Sequence, residues 1–214
     1  MFLTFEGVDS SGKTTQAALL VDALRARGGP PVHFIREPGG TAISERLREI
    51  LLDRGNLELT ELTELFLFSA SRAQLVAQVI LPALARGETV VCDRYYDSTT
   101  AYQGYGRGLD LESVRRINAV ATAGTDPDLT VLVDITVGEI QARKTASGGT
   151  TDRMEDAGRE FYERVRRGYL AIAREHPERF LVIDGMRSVT DIARDIRRAV
   201  DRRHGQLNRE ERSE

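Results

Sequence analysis

Residues 7 to 15, Gly7-Val8-Asp9-Ser10-Ser11-Gly12-Lys13-Thr14-Thr15, satisfy the pattern G-x-x-x-x-G-K-[ST] without a mismatch. This spacing builds a cradle for phosphate. Glycines let the loop turn its backbone N–H groups inward, Lys13 reaches the β- and γ-phosphates, and the Thr14 hydroxyl binds Mg²⁺. An apolar run, Met1 to Phe5, leads in, and Ala17, Leu20, Val21 and Leu24 follow at helical spacing, so a helix N-terminus faces the anion. A Gly/Ser loop that matched by accident would lack that strand, loop and helix context. A nucleoside triphosphate is the first ligand to expect.

The elements that must hold this loop are legible from hydrophobic periodicity. Short apolar runs, Phe2 to Phe5, Val32 to Ile35, Thr89 to Cys92, Leu129 to Val133 and Phe180 to Ile183, alternate with amphipathic stretches at about 15–27, 43–53, 60–85, 111–122, 137–145, 157–174 and 189–203. Nearly all-apolar strands separated by helices imply an α/β fold, a doubly wound five-stranded parallel sheet flanked by helices. Ligands of such sheets collect outside the carboxyl ends of the strands. There the sequence has Glu6-Gly7, Arg36-Glu37, Asp93-Arg94, Asp134 and Asp184-Gly185. Pro82 is expected to kink the long third helix. Residues 1–203 read as a single domain, and the charged tail 204–214, with Leu207 as its only large aliphatic residue, is expected to fray.

With 214 residues, 41% hydrophobic, 29% charged and a net charge of −3, the chain has no global attraction to nucleic acid or membranes. The apolar N-terminal run breaks at Glu6, which argues against a signal peptide or a spanning helix and makes the cytoplasm the expected address. Cys92 cannot form an intrachain disulfide and reads as a small buried filler. His33, His176 and His204 are scattered without a catalytic partner nearby.

Three further segments carry a resemblance. Asp93-Arg94-Tyr95-Tyr96-Asp97-Ser98-Thr99-Thr100-Ala101-Tyr102-Gln103 resembles the signature of thymidylate kinases, Arg36-Glu37-Pro38-Gly39-Gly40-Thr41 looks like that family's second-strand loop, and Phe68-x-x-x-Arg72 looks like its nucleobase site. With the phosphate loop, the four motifs stand in the family's order and spacing over residues 2–200. The resemblance implies a P-loop NTPase fold, ATP and dTMP as substrates, Mg²⁺ as cofactor and a homodimer. It also implies roles. Arg36 and Arg94 fall at the acceptor phosphate, Ser98 within the dTMP site, Phe68 stacks on the base, Arg72 donates to thymine O4, Thr99 lies near the N3 and O4 side, and Tyr102 packs against the deoxyribose. Asp9 contacts the 3′-hydroxyl, shapes the turn, or does both. Asp93 orders Mg²⁺ with Thr14, or pairs with Arg94 or Lys13.

Independently of the family, joining two polyphosphates requires arginine donor forks on the acceptor side. The resemblance also implies a lid over the donor phosphates at about 143–155, here Arg143-Lys144-Thr145-Ala146-Ser147-Gly148-Gly149-Thr150-Thr151-Asp152-Arg153-Met154-Glu155. Ser10 and Ser11 give the loop no arginine, and for such members the resemblance implies that transition-state charge falls to the lid. Arg143 is the first candidate, Arg153 the second, and Lys144 supplies at most a point charge. A deoxynucleoside kinase, or a P-loop regulatory NTPase, stands as the alternative reading.

Overall fold

The computed structural model describes residues 1–147 and 158–210. Five strands, β1 (Phe2–Glu6), β2 (Val32–Arg36), β3 (Thr89–Asp93), β4 (Leu129–Asp134) and β5 (Phe180–Asp184), form one parallel sheet in the order β2-β3-β1-β4-β5. Each runs one residue beyond the apolar stretch that marked it. Ladder pairing is indifferent to side-chain polarity, so the ladder delivers Glu6, Arg36, Asp93, Asp134 and Asp184 to one edge. The connections are α1 (Lys13–Arg27), α2 (Ala42–Leu52), α3 (Glu61–Leu75), α4 (Leu81–Ala85), α5 (Tyr96–Thr99), α6 (Leu111–Thr122), α7 (Val137–Ser147), α8 (Arg159–Glu175) and α9 (Val189–Glu210).

Alternation along the strands divides the core between the two faces. Leu3, Phe5, Val91, Val131 and Val133 pack on α1 and α9 through Leu20, Val21, Ile192 and Ile196. On the opposite face Phe2, Val90 and Cys92 meet Leu75, Val76, Ile80 and Tyr95, while Leu132 meets Val165, Tyr169 and Ile172 of α8. Each such side chain contributes roughly 1.5–3 kcal/mol on burial. Cys92 is fully buried, as its apolar setting implied.

The disturbance expected at Pro82 takes the form of a π-helical turn, Val76–Ile80, between α3 and α4. Leu81 N–H bonds back to the Val76 carbonyl, and Pro82 has no N–H with which to continue the ordinary ladder. The run Glu61–Ala85 has the length and apolar composition of a membrane span. Its buried side chains, Leu65, Leu75, Val76, Ile80 and the charged Arg72 among them, are spent on this protein's own interior.

A second π-helical stretch, Thr100–Gly106, continues α5 and lies against α8. The approach is close: a Cβ at Gly106 would stand 2.7 Å from the Phe161 ring and 2.8 Å from Val165. Periodicity marked no element here. At the C-terminus α9 passes the expected end at 203 and runs to Glu210. Arg202, Arg203, Gln206 and Leu207 are good helix formers, Arg203 donates to the Asp128 carbonyl at 2.9 Å, and one Gly at 205 costs only about 1 kcal/mol. Helix α9 thus includes 204–210, and 211–214 lie outside the described residues.

Glu6, at the end of the central strand, is completely buried. Its carboxylate accepts the N–H groups of Tyr95 (2.7 Å) and Ser98 (3.3 Å), the Ser98 hydroxyl (2.6 Å) and the Tyr169 hydroxyl (3.0 Å). Burial, reinforced by the charge of Asp97, raises its pKa from 4.5 to about 7 despite Ser98 and Arg94. The folded state therefore holds a proton that the unfolded chain releases. The associated stability is fully present below pH 4.5 and is lost as pH rises through about 7. Stability of the nucleotide-free protein should thus fall between about pH 5 and pH 8, with up to about 3 kcal/mol of the loss carried by Glu6. Urea unfolding of wild type and Glu6→Gln across this range checks it: wild type should lose up to about 3 kcal/mol relative to the variant between about pH 5 and pH 8, and curves that stay parallel throughout would remove Glu6 as the cause.

Candidate active site

The link from β1 to α1 turns through three residues of positive φ, Gly7 (142°), Ser10 (61°) and Gly12 (92°). A side chain at Gly7 would put its Cβ 2.5 Å from the Val133 carbonyl oxygen, so only glycine lets the loop lie against β4. Val8 is buried beneath it, and Thr15 is exposed on the first turn of α1. Gly12 caps α1 without a side-chain hydrogen bond, and the first turn contains no acidic residue. The helix's first N–H groups and its positive end are thus left for an anion. Lys13 is 8% exposed and makes no hydrogen bond or ion pair with the described residues. Burial, then Arg94, lowers its pKa, while Asp93, Asp9 and Glu6 oppose the shift. A buried ammonium in this state favours an anionic partner.

Beside the loop, Arg94 follows β3 with a φ of 70°, a left-handed conformation rare outside glycine. Both terminal nitrogens of its fork are engaged. One terminal nitrogen donates to the Gly7 carbonyl (3.0 Å), Ser98 Oγ (3.2 Å) and Tyr169 Oη (3.2 Å). The other donates to Asp9 and to Tyr102 Oη, and the guanidinium stands 5.1 Å over the Tyr102 ring. Asp9 also accepts the hydroxyls of Tyr102 (3.1 Å) and Tyr162 (2.9 Å). Burial works to raise the Asp9 pKa, but Arg94, Lys13 and the two phenols hold it at about 2, so the carboxylate is ionised. Thr14 donates to one oxygen of Asp93 at 2.5 Å. The other oxygen, Oδ1, is buried without a partner. Asp93 therefore bonds neither Arg94 nor Lys13, and Asp9 takes the place expected for it beside Arg94.

A cavity of about 270 Å³ runs from this loop to α3. Phe68 and Arg72 stand one turn apart on α3, Phe68 half-buried and Arg72 1% exposed. Arg72 donates from Nε to Glu37 (2.7 Å), from Nη1 to Asn118 Oδ1 (3.1 Å), and from Nη2 to the Tyr95 carbonyl (3.3 Å) and Thr99 Oγ1 (2.8 Å). Burial raises the Glu37 pKa to about 7 against the pull of Arg72, and its Oε1 is buried and unpartnered. At the mouth, Arg36 forms a two-pronged pair with Glu45 at 2.9 and 3.1 Å. Asp9, Lys13, Thr14, Arg36, Phe68, Arg72, Asp93, Arg94, Ser98, Thr99 and Tyr102 all line this one cavity.

Arg143, on α7, lies on the carbonyl side of the loop. It donates to the Ser10 and Ser11 carbonyls (3.2 Å each), to the Gly185 carbonyl (2.9 Å) and to Glu139 (2.7 Å). The Lys144 side chain and Arg153 lie outside the described residues. No histidine lines the cavity; His33 pairs with Glu88 at 2.7 Å. Sequence reasoning passed over Tyr162 and Tyr169, although a spacing of seven on a helix puts both on one face. It also passed over Arg48 and Gln103 in the cavity wall. Gln103 stood within the quoted signature, whereas nothing in the local sequence singles out Arg48.

A family model for thymidylate kinase matches residues 5–196. The thymidylate kinase of Caldanaerobacter subterraneus subsp. tengcongensis is 48% identical over 200 residues, covering 94% of each chain. That of Deinococcus radiodurans is 48% identical over 203 residues, covering 95% of this chain and 97% of the relative. Among solved structures, the crystal structure of thymidylate kinase from Ehrlichia chaffeensis is similar with a TM-score of 0.77 and 35% identity, over 94% of this chain and 98% of that one. With a match across nine-tenths of its length and relatives at nearly half identity, this chain belongs to the thymidylate kinase family.

Proposed function

We propose that this chain transfers the γ-phosphoryl group of ATP to dTMP, giving ADP and dTDP, by in-line displacement without a covalent enzyme intermediate. The observation that carries the reading is a single cavity that joins the phosphate loop, through Arg94, to the buried Arg72 and the Phe68 ring. One end suits polyphosphate and the other a flat base with a carbonyl edge. The loop from Gly7 to Thr15, with Lys13, holds the donor phosphates. Arg36, Arg94 and Ser98 hold the acceptor phosphate, Phe68, Arg72 and Thr99 the thymine, and Asp9 and Tyr102 the deoxyribose.

The acceptor is already an anionic phosphate oxygen, so a strong general base has little to do. Positioning and charge stabilisation carry the rate. Thr14 and Asp93 fit a hard cation: a hydroxyl oxygen lies beside a carboxylate whose second oxygen is buried and unmatched. Thr14 and Asp93 would hold Mg²⁺, which when bound would supply charge neutralisation at the phosphates. Among the described residues no cluster of three acidic, histidine or cysteine side chains competes for a metal. Arg143 fixes the loop; the expected lid, residues 143–155, lies outside the described residues beyond Ser147. Arg94 and Lys13 supply transition-state charge, Arg143 acts through the loop from its carbonyl side, and Arg153, outside the described residues, is the further candidate.

The assembly we propose is a homodimer in the cytoplasm. Its supporting observation is an apolar layer on α2 and α3, where Ile43 (53% exposed), Ile50 (45%), Leu62 (50%) and Phe66 (52%) face outward. Ile43 and Ile50 are seven apart and Leu62 and Phe66 four apart, so each pair shares one helix face.

A coupled ADP-release assay should show turnover with dTMP far above that with thymidine; equal turnover would favour a deoxynucleoside kinase, and hydrolysis unaffected by dTMP a regulatory NTPase. Lys13→Ala should lower kcat by about 10²–10³-fold, and near-wild-type turnover would remove Lys13 from the chemistry. In sedimentation velocity, Phe66→Asp should move the protein from dimer to monomer. A dimer that survives the substitution would shift the interface to another face.

A further inference from the structure

We infer that Asn118 is a positioning residue for the pyrimidine, acting through Arg72 from outside the nucleotide cavity. Asn118 lies on α6, is 4% exposed and does not line that cavity. Its Oδ1 accepts Arg72 Nη1 at 3.1 Å, and its Nδ2 donates to Thr100 Oγ1 at 3.0 Å and to the Tyr96 carbonyl at 3.3 Å. The sense of the amide is fixed by its neighbours. Thr100 spends its own hydrogen on the Tyr96 carbonyl at 3.2 Å, so it can only accept from Asn118. The guanidinium opposite can only donate. Carbonyl oxygen toward Arg72 and nitrogen toward Thr100 is therefore the one arrangement that satisfies all four groups.

A guanidinium carries five N–H donors. In Arg72, Glu37 takes the Nε hydrogen, Thr99 and the Tyr95 carbonyl take both Nη2 hydrogens, and Asn118 takes one of the two on Nη1. One hydrogen on Nη1 is left for an acceptor on a ligand, and the bond from Asn118 decides which one. The same amide ties α6 to the segment that carries Thr99 and Tyr102. Asn118 thus sets two elements of the base pocket with one side chain. On its far side it borders a separate cavity of about 210 Å³, so a substitution there alters no side chain that itself lines the nucleotide cavity.

The inference rests on the reading of Arg72 as the group that meets the base, and the experiment separates the two. Steady-state constants for dTMP, dCMP and ATP would be measured for wild type, Arg72→Ala, Asn118→Ala, the near-isosteric Asn118→Leu, and Asn118→Asp, which keeps an acceptor toward Arg72. Both Asn118→Ala and Asn118→Leu should raise the dTMP KM by about tenfold, leave the ATP KM within about twofold, and reduce the preference for dTMP over dCMP; Asn118→Asp should stay within about threefold of wild type in all three. If Arg72→Ala leaves the dTMP KM and the dTMP preference unchanged, the role of Arg72 fails and the inference with it. If Arg72→Ala abolishes the preference while Asn118→Ala or Asn118→Leu preserves it, the inference alone is overturned. A merely structural Asn118 would lower kcat for both acceptors equally without altering their ratio, which likewise overturns it. Should the alanine variant not fold, the leucine and aspartate variants decide.

Discussion

The pairing of Asp9 with Arg94 is the contact on which the site depends. It joins the phosphate loop after β1 to the chain leaving β3, two strands made neighbours by the register Phe5 to Asp93. Both partners are 17% exposed, so their attraction is little screened, but each has given up most of its water. Such a pair repays its desolvation only if its remaining donors and acceptors are met. Here they are met by three phenols, the Ser98 hydroxyl and the Gly7 carbonyl. That full complement also holds Arg94 at a positive φ, a conformation that survives only where the surroundings over-determine it. By contrast Arg27 and Asp201, both half exposed, belong to the class of surface pairs worth about 0–1 kcal/mol.

A layer of carboxylates beneath these arginines explains how cations can be concentrated in a chain of net charge −3. Glu6 and Glu37 are buried under Arg94 and Arg72 respectively, and both are raised to about 7. Asp9, closer to two cations, is driven the other way to about 2. The difference follows from the charges nearby: Asp9 meets two cations, Arg94 and Lys13, whereas Glu37 meets Arg72 alone and Glu6, although it accepts four hydrogen bonds, has the anionic Asp97 beside it. Glu37 fixes the direction of the Arg72 fork directly, and Glu6 acts on Arg94 through Ser98 and Tyr169. On the proposed reaction, that preorganisation is what a transfer between two anions needs, because little reorganisation is then left for the transition state.

Much of this was legible in the chain because its signals were local. A strand reads as an apolar run and a phosphate loop as glycine spacing, and strand ends announced Glu6, Arg36, Asp93 and Arg94 before any contact was known. The π-helical stretch Thr100–Gly106 was not legible, since its backbone pattern has no hydrophobic period of its own and is imposed by packing of Gly106 on Phe161 and Val165. The Tyr162 hydroxyl escaped for a different reason. On an amphipathic helix a tyrosine reads as apolar face, and only the fold shows that its oxygen meets Asp9. Asn118 is the extreme case: its meaning lies wholly in partners 46, 22 and 18 residues away in sequence.

Arg143 shows how a loop without its own arginine still gains from one. The side chain donates to the outward carbonyls of Ser10 and Ser11. A trans peptide carries its N–H opposite its C=O, so a cation on the Ser11 carbonyl stabilises the orientation in which the Gly12 N–H faces away from Arg143. Polarised peptide groups are stronger donors on their far side. A cation behind the loop and an anion in front of it therefore favour the same backbone conformation, and each strengthens the hold of the other. Two serines at positions 10 and 11 leave room for that arrangement. The positive charge absent from the loop is supplied across its back by α7.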